Sequence, residues 1–404
     1  MDMTPPAGAP LRAPLPILLH ALLHDHLFWL LLLLLAGLSL ADPGRIVSYP
    51  GLVDWPTMAT LTGLLMLTKG VEVSGFLRHA GTLLLARMKS QRSLAMLLVG
   101  ATALLATLLT NDVALFIVVP LTLTLKLAST PTPGRQASHA TDKGTTEAGG
   151  LPVIRLIIFE ALAANAGSTL TPIGNPQNLY LWQQSQGSFV AFCVAMLPLA
   201  LLLVGSLLLL TACLFSGRAN PPASASKQSD GAVDRPMLLT CVALYLPFLV
   251  LTDLRHAPLA LTAVLAIFLV RYRRVLAQVD WALLLVFMLM FIDLRLVAAA
   301  APVRALVASL DLAQAPRLYL AAISASQVIS NVPATILLAQ STHDWRTLAH
   351  GVNVGGAGLA IGSMANIIAL RMAPQRRAWL VFHAYSVPYL IVTGAIAYAW
   401  LVPR

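Results

Sequence analysis

Long apolar stretches, interrupted at a few short polar points, dominate the pattern of this chain. The uncharged runs Phe189 to Gly217 and Ala378 to Pro403 exceed the ~20 residues that a helix needs to cross a hydrocarbon layer. The same pattern predicts spans at Leu27 to Ala41, Trp55 to Lys69, Met237 to Leu251, Pro258 to Val270 and Trp281 to Ile292. Two apolar segments break at an asparagine: Leu94 to Lys126 at Thr110-Asn111-Asp112, and Arg317 to Ala339 at Ser330-Asn331. Two others, Pro152 to Trp182 and Leu348 to Arg371, break at loops too rich in glycine, proline and polar side chains to stay helical.

These breaks recur. "NAGSTLTPIGNPQN", Asn165 to Asn178, aligns without gaps on "NVGGAGLAIGSMAN", Asn353 to Asn366, matching Asn165/Asn353, Gly167/Gly355, Ile173/Ile361, Gly174/Gly362 and Asn178/Asn366 at an offset of 188. "VDW" at Val53 to Trp55 returns at Val279 to Trp281, and the segment around Asn111 returns around Asn331, in the same order. The chain therefore reads as a duplication. It divides into an N-terminal segment (residues 1–26), a first repeat (27–215), a loop with a linker helix (216–256) and a second repeat (257–404). Arg317 to Gln340 is too short for two crossings, so each asparagine-tipped segment is expected to be a re-entrant helical hairpin. Each repeat then has an even number of crossings, and the single linker span inverts the second. The predicted fold is an all-α polytopic membrane protein of two inverted-topology repeats, each with a re-entrant hairpin and a discontinuous transmembrane helix.

Composition and charge agree with a membrane protein. Of 404 residues, 58% are hydrophobic and 10% charged, against roughly 25% charged in a soluble domain; mean hydropathy is +0.80. The net charge of +10 is spread over short loops, as orientation signals are, with no basic stripe for nucleic acid. That spread places the N-terminus in the cytoplasm, with the cytoplasmic loops Lys69 to Arg92, Lys126 to Arg155, Arg218 to Arg235, Arg271 to Arg274 and Arg371 to Arg377, in what is expected to be a bacterial inner membrane. Ile292 to Arg317 is the exception, and is expected to be an amphipathic surface helix. Ala128 to Gly150 and Ser216 to Asp234 read as flexible loops. The Leu27 to Leu40 run reads as a retained first helix rather than a signal peptide, because more spans follow it. Cys193, Cys213 and Cys241 have no metal-ligand spacing, and no motif of a membrane-embedded enzyme occurs.

Each backbone group freed inside hydrocarbon costs several kcal/mol unless protein or water meets it, so four matched breaks predict a cavity near the midplane. Secondary transporters are built in this way, with half-helix N-termini facing anions and loose carbonyls holding Na⁺. Asp112 is placed to cap a half-helix Val113 to Lys126, Pro333 to open the matching one, and Asn175 and Ser363 to cap the half-helices after the two loops. Four converging helix starts would favour an anion without a buried arginine.

"TNDVALFIVVPL", "GSTLTPIGNPQN", "SNVPATILL" and "GGAGLAIGSMAN" together resemble the ion transporter superfamily, in its arsenite-permease, D-type sodium/proton antiporter and citrate-transporter branch, distantly related to the sodium/dicarboxylate symporters. The resemblance implies a secondary active transporter working by alternating access, as a homodimer without a cofactor. Its cargo would be a small inorganic or carboxylate anion coupled to Na⁺ or H⁺, with no metal beyond that Na⁺. Sodium/proton antiport on the same fold, with Asp112 as the exchanging acid, is the alternative. Carried over by motif, substrate would meet Thr110, Asn111, Asp112, Thr171, Pro172, Asn175, Ser330, Asn331, Val332 and Ser363. The cation would meet Asn111, Asp112, Asn165, Gly167, Ser168, Asn331, Asn353, Gly355 and Gly356. Asp112 and Val332 depart from the Ser-Asn-Thr triplets of the dicarboxylate relatives, whereas the arsenite-permease branch has Asn-Asp and Asn-x-Pro at these tips.

Several of these residues also have plainer readings. Asn111 and Asn331 can satisfy their own backbone, and the glycines can serve close packing. Ser168, Thr169 and Thr171 can bond back to their helix. Glu160 can form an ion pair with Arg155 or act as a coupling site. Lys69, Glu72 and the histidines His20, His24, His26, His79, His139 and His383 read as interfacial or solvated.

Overall fold

The structure, a computed structural model, describes residues 22–23, 25–85, 88, 90–128, 152–217, 232–373, 375 and 377–403. Most of the predicted N-terminal segment, with His20 and His24, and most of the two loops 128–150 and 216–234, with His139, lie outside the described residues. Every regular element among those described is a helix. Apart from four short turns of helix at Pro43–Ser48, Tyr49–Leu52, Arg273–Leu276 and Ala360–Gly362, they are in chain order α1 (His26–Ala41), α2 (Trp55–Val73), α3 (Phe76–Leu85), α4 (Gln91–Leu108), α5 (Asn111–Ala128), α6 (Val153–Ser168), α7 (Pro176–Ser185), α8 (Phe189–Leu214), α9 (Arg235–Asp253), α10 (Ala257–Arg271), α11 (Trp281–Ala299), α12 (Ala301–Ser309), α13 (Ala315–Ile329), α14 (Asn331–Leu338), α15 (Trp345–Gly355), α16 (Met364–Met372) and α17 (Ala378–Leu401). Five of them, α4, α8, α9, α11 and α17, are long and apolar enough to cross a bilayer, as a polytopic membrane protein requires. The Ile292 to Arg317 expectation needs correction. Ile292 to Ala299 continues span α11, with Asp293 buried, and only Ala301–Ser309, which has no buried residue, forms a separate short helix.

The chain folds into two compact units, each drawing on both halves of the sequence. The first comprises Met1–Val73 and Arg235–Arg304. Here the repeated "VDW" has a mechanical explanation. Asp54 Oδ1 accepts the Thr57 amide at 3.0 Å and Asp280 Oδ1 the Leu283 amide at 3.0 Å, so each aspartate caps the helix that its tryptophan begins. Each indole then donates to a carbonyl five residues back, Trp55 to Pro50 at 2.9 Å and Trp281 to Leu276 at 2.8 Å, clamping the entry turn. Helix α2 packs on α9 and α10 through glycines, with the Phe248 ring against Gly63 and Cys241 against Gly70. Lys69 pairs with Glu72 at 2.8 Å, half-buried, and Arg295 with Asp54 at 3.6 Å.

The second unit comprises Ser74–Asp234 and Ala305–Arg404 and contains all four breaks. Its packing follows the duplication. Helix α4 lies on α6 in the first half, as α13 lies on α15 in the second. Small residues allow both approaches. A side chain at Gly167 would strike the backbone of Ala103, and one at Gly355 would meet Ser326 Cβ at 2.7 Å. The halves also cross, α5 packing on α16 and α14 on α7.

Candidate functional site

At the first tip, α4 ends at Leu108 and α5 begins at Asn111. The expected cap is corrected here: Thr110 Oγ1, not Asp112, accepts the Val113 amide at 3.3 Å. Asp112 lies in the first turn of the helix, half-buried, where its charge suits the helix dipole. Asn111 Oδ1 accepts the Asp112 amide at 3.0 Å, as the plainer reading held, while the Asn111 amide donates to the Gly174 carbonyl at 2.9 Å and ties the tip to the first loop. At the second tip the helix starts at Asn331, so Pro333 lies inside the first turn rather than opening it. Ser330 takes φ 74° and ψ 156°, a region nearly reserved for glycine. Val332 and Asn331 are buried.

The two loops hold each other through a reciprocal set of hydrogen bonds. Asn165 Nδ2 donates to Asn366 Oδ1 at 2.8 Å, and Asn353 Nδ2 donates to Asn178 Oδ1 at 2.7 Å. Ser363 Oγ donates to Asn165 Oδ1 at 2.8 Å, and its repeat mate Asn175 donates through Nδ2 to Asn353 Oδ1 at 3.1 Å. Each bond is matched by its mate under the 188-residue offset, as at an isologous contact. The remaining amide protons close each loop on itself. Asn178 Nδ2 meets the carbonyls of Ser168, Thr169 and Thr171 at 3.1–3.2 Å, and Asn366 Nδ2 those of Gly356 and Leu359 at 2.8 and 3.4 Å. Asn175 and Ser363 also cap α7 and α16 as expected, accepting the amides of Asn178 at 2.9 Å and Ala365 at 3.3 Å.

A second matched set joins each loop to its hairpin. Thr107 Oγ1 donates to the Gly167 carbonyl at 2.7 Å, and Gln327 Nε2 to the Gly355 carbonyl at 2.6 Å. Thr171 Oγ1 donates to the Thr107 carbonyl at 2.7 Å, and the Leu359 amide to Gln327 Oε1 at 2.6 Å. Each of these carbonyls thus already has a donor, and both glycines also serve close packing. Ser168 and Thr169 bond back to the Asn165 carbonyl at 2.9 and 3.1 Å, again the plainer reading. A side chain at Gly356 would meet the Asn331 amide nitrogen at 3.1 Å, the Asn353 carbonyl at 3.4 Å and Asn165 Oδ1 at 3.5 Å, which places the second tip beside the crossed asparagines. Pro172 is buried in the first loop.

The starts of α5, α7, α14 and α16 therefore meet around one asparagine cluster. Tips and loops carry no Lys, Arg or His, so their positive character comes from helix N-termini and amide donors alone. Four residues central to this arrangement were not among the predicted ligands. Asn178 and Asn366 close the repeated motif and could have been found from that identity. Thr107 and Gln327 do the same job with different side chains, so residue matching hides them. Glu160 is buried and bonded to Thr122, not Arg155, which donates to the Leu214 carbonyl at 3.1 Å.

Residues 23–345 match the family model described as citrate transporter. The inner membrane protein YbiR of Escherichia coli (strain K12) is 45% identical over 385 residues, 95% of this chain and 97% of that protein. An uncharacterized transporter of Methanocaldococcus jannaschii is 30% identical over 343 residues, 84% of this chain and 86% of its own. The silicon efflux transporter LSI3 of Oryza sativa subsp. japonica is 28% identical over 187 residues, 45% of this chain and 34% of that protein. With family model and full-length relatives in agreement, the chain belongs to the citrate transporter family.

Proposed function

We propose that this protein is a secondary active transporter whose second unit binds a small inorganic or carboxylate anion and moves it across the membrane by alternating access, coupled to Na⁺ or H⁺. In this reading the two halves are inverted repeats, α4–α5 and α13–α14 are re-entrant hairpins, and the broken elements α6–α7 and α15–α16 complete the site. The reciprocal bonding of Asn165 with Asn366 and Asn353 with Asn178 carries the reading, because it joins the two loops, to which the first tip is tied by the Asn111 amide and beside which the second tip lies at Gly356. Helix N-termini and neutral amides suit an anion or an oxyacid. Thr110, Asn111, Ser330 and Asn331 offer groups from the tips, and Thr171 and Asn175 lie in the adjoining loop. Sodium/proton antiport on the same fold is favoured by one feature, the acid Asp112 at the first tip. Reconstitution in liposomes tests the proposal: uptake of citrate, phosphate, sulfate, arsenite or silicic acid should depend on an imposed Na⁺ or H⁺ gradient and fall in Asn111→Ala. Sodium-driven proton movement with no solute uptake would favour the antiporter instead.

A further inference from the structure

The first repeat buries an acid that the proposed site does not use. Glu160 lies on α6, five residues before Asn165, and is fully buried. Its Oε1 is 2.5 Å from the Thr122 hydroxyl of α5, and its Oε2 has no hydrogen-bond partner. Arg155, the obvious counter-ion on the same helix, is engaged elsewhere, with its guanidinium bonded to the Leu214 carbonyl and lying 5.8 Å from the Tyr385 ring centroid. The repeat mate of Glu160 is Leu348, so the acid is no part of the symmetric framework.

Helices α4, α5, α8, α16 and α17 pack on α6. Their charged groups are Arg92 on α4, bonded to the Phe215 carbonyl; Asp112, ten residues before Thr122 on α5; Lys126, later on α5, whose side chain is not described; and Arg371 on α16. Helix α17 adds His383, held by the Ala360 amide and the Trp379 carbonyl, and the phenols Tyr385, Tyr389 and Tyr398, while α8 adds the thiols Cys193 and Cys213. Among the described side chains, Thr122 alone is hydrogen-bonded to Glu160, and no cation pairs with it.

An ionised carboxylate enclosed in this way loses several kcal/mol of hydration that no cation among the described side chains offsets. The acid form keeps the Thr122 contact, since either oxygen of that pair can supply the hydrogen. We propose that Glu160 and Thr122 form a proton-binding site within the second unit. Its position suits coupling. Helix α5 starts at the Asn111 tip, and α6 runs into Asn165 of the asparagine cluster, so the two helices that enclose the proton also reach the substrate site. When they part enough to admit water, the Glu160 O–H bond breaks, the proton passes to water and a hydrated carboxylate remains; rebinding reverses the step. Proton occupancy is independent of the transporter reading, whereas its use in coupling rests on that reading.

Infrared spectra of the full chain in lipid at neutral pH test the site directly. The wild-type minus Glu160→Gln difference should contain the carbonyl stretch of an un-ionised carboxylic acid, and Thr122→Val should move that band to higher frequency. A difference containing only carboxylate bands would overturn the proposal and point to an ion pair, with Lys126 the first candidate. The same liposomes test coupling, using citrate with the membrane potential clamped by potassium and valinomycin. One proton per substrate supports about tenfold accumulation per unit of imposed pH difference. That accumulation should vanish in Glu160→Gln while citrate exchange continues. Undiminished accumulation would remove Glu160 from coupling and leave the transporter reading intact. If neither citrate nor silicic acid moves in the wild type, the transporter reading loses its support, and the infrared band alone decides the proton site.

Discussion

The loops 165–178 and 353–366 hold each other with mirrored bonds, yet the helices around them differ in chemistry. The first half places Asp112 at its tip and Glu160 within its broken element; the second has Val332 and Leu348 there. The first hairpin is fastened to its loop by the Thr107 hydroxyl, the second by the Gln327 amide. The first tip is capped by Thr110, while the second turns through a serine at φ 74°. Symmetry is kept in the bonds by which the two loops support each other and lost in the helices around them, where the proposed site would need chemical direction. Substitutions in matched pairs can therefore separate scaffold from function.

The largest expected difference lies at the two close approaches. Gly167→Ala drives a methyl into the carbonyl of Ala103, which cannot move without bending α4, and should cost about 3 kcal/mol, the upper end for overpacking. Gly355→Ala meets Ser326 Cβ and Oγ at 2.7 and 2.9 Å, atoms that a second substitution can remove. Thermal unfolding should then show Ser326→Gly recovering part of the Gly355→Ala loss, whereas Ala103→Gly leaves Gly167→Ala unrescued. Equal rescue of both would mean that the two approaches are equivalent.

Next come the crossed asparagines. Leucine at Asn165 or Asn353 strands buried amide partners and should cost about 2 kcal/mol at either position. Asn165 and Asn366 should be coupled in a double-mutant cycle, as should Asn353 and Asn178, while Asn165 with Asn178, which share no bond, should be closer to additive. Coupling confined to one of the two bonded pairs would contradict the reciprocal arrangement.

The apolar helices, the four interruptions and the repeated motifs were legible because each rests on a pattern local in sequence: apolar length, a Gly-Pro break, a repeated asparagine. The side of the loop that each asparagine faces was not. Asn165 bonds a residue 201 positions away, and its partner is specified only once α6 and α16 have packed. The start of α5 was misplaced by two residues because Thr110 and Asp112 are both good caps, and tertiary packing selects between them. Arg155 and Glu160 share a helix, which favours pairing on sequence alone, but their five-residue spacing is not that of helical neighbours and the arginine turns to Leu214.

A smaller contrast concerns the hairpin fasteners. Gln327→Leu removes both an acceptor for the Leu359 amide and a donor to the Gly355 carbonyl, and should cost about 1.5 kcal/mol. Thr107→Val removes only the hydroxyl donor to Gly167, because the bond from Thr171 goes to the Thr107 main chain and survives. Its cost should be about 1 kcal/mol. Denaturant titration of the two variants in one detergent would show the order, and a larger loss at Thr107 would mean that the first loop depends on its hairpin more than the second.

The smallest expected effect has the opposite sign. Ser330 connects α13 to α14 with a backbone conformation that costs a residue bearing a Cβ about 1 kcal/mol or more. Ser330→Gly should recover about that much in thermal unfolding, reduced by the greater freedom that glycine gives the unfolded chain. The same change removes a hydroxyl from the proposed site, so the variant should be more stable and yet transport less well. At the first tip, Thr110→Gly should lose on both counts, because Thr110 caps α5 through its side chain. Strain retained at one tip and relieved at the other would then be a property of the site, since folding alone would have placed glycine at position 330. A Ser330→Gly protein that is more stable and fully active would reduce the serine to an accident of sequence.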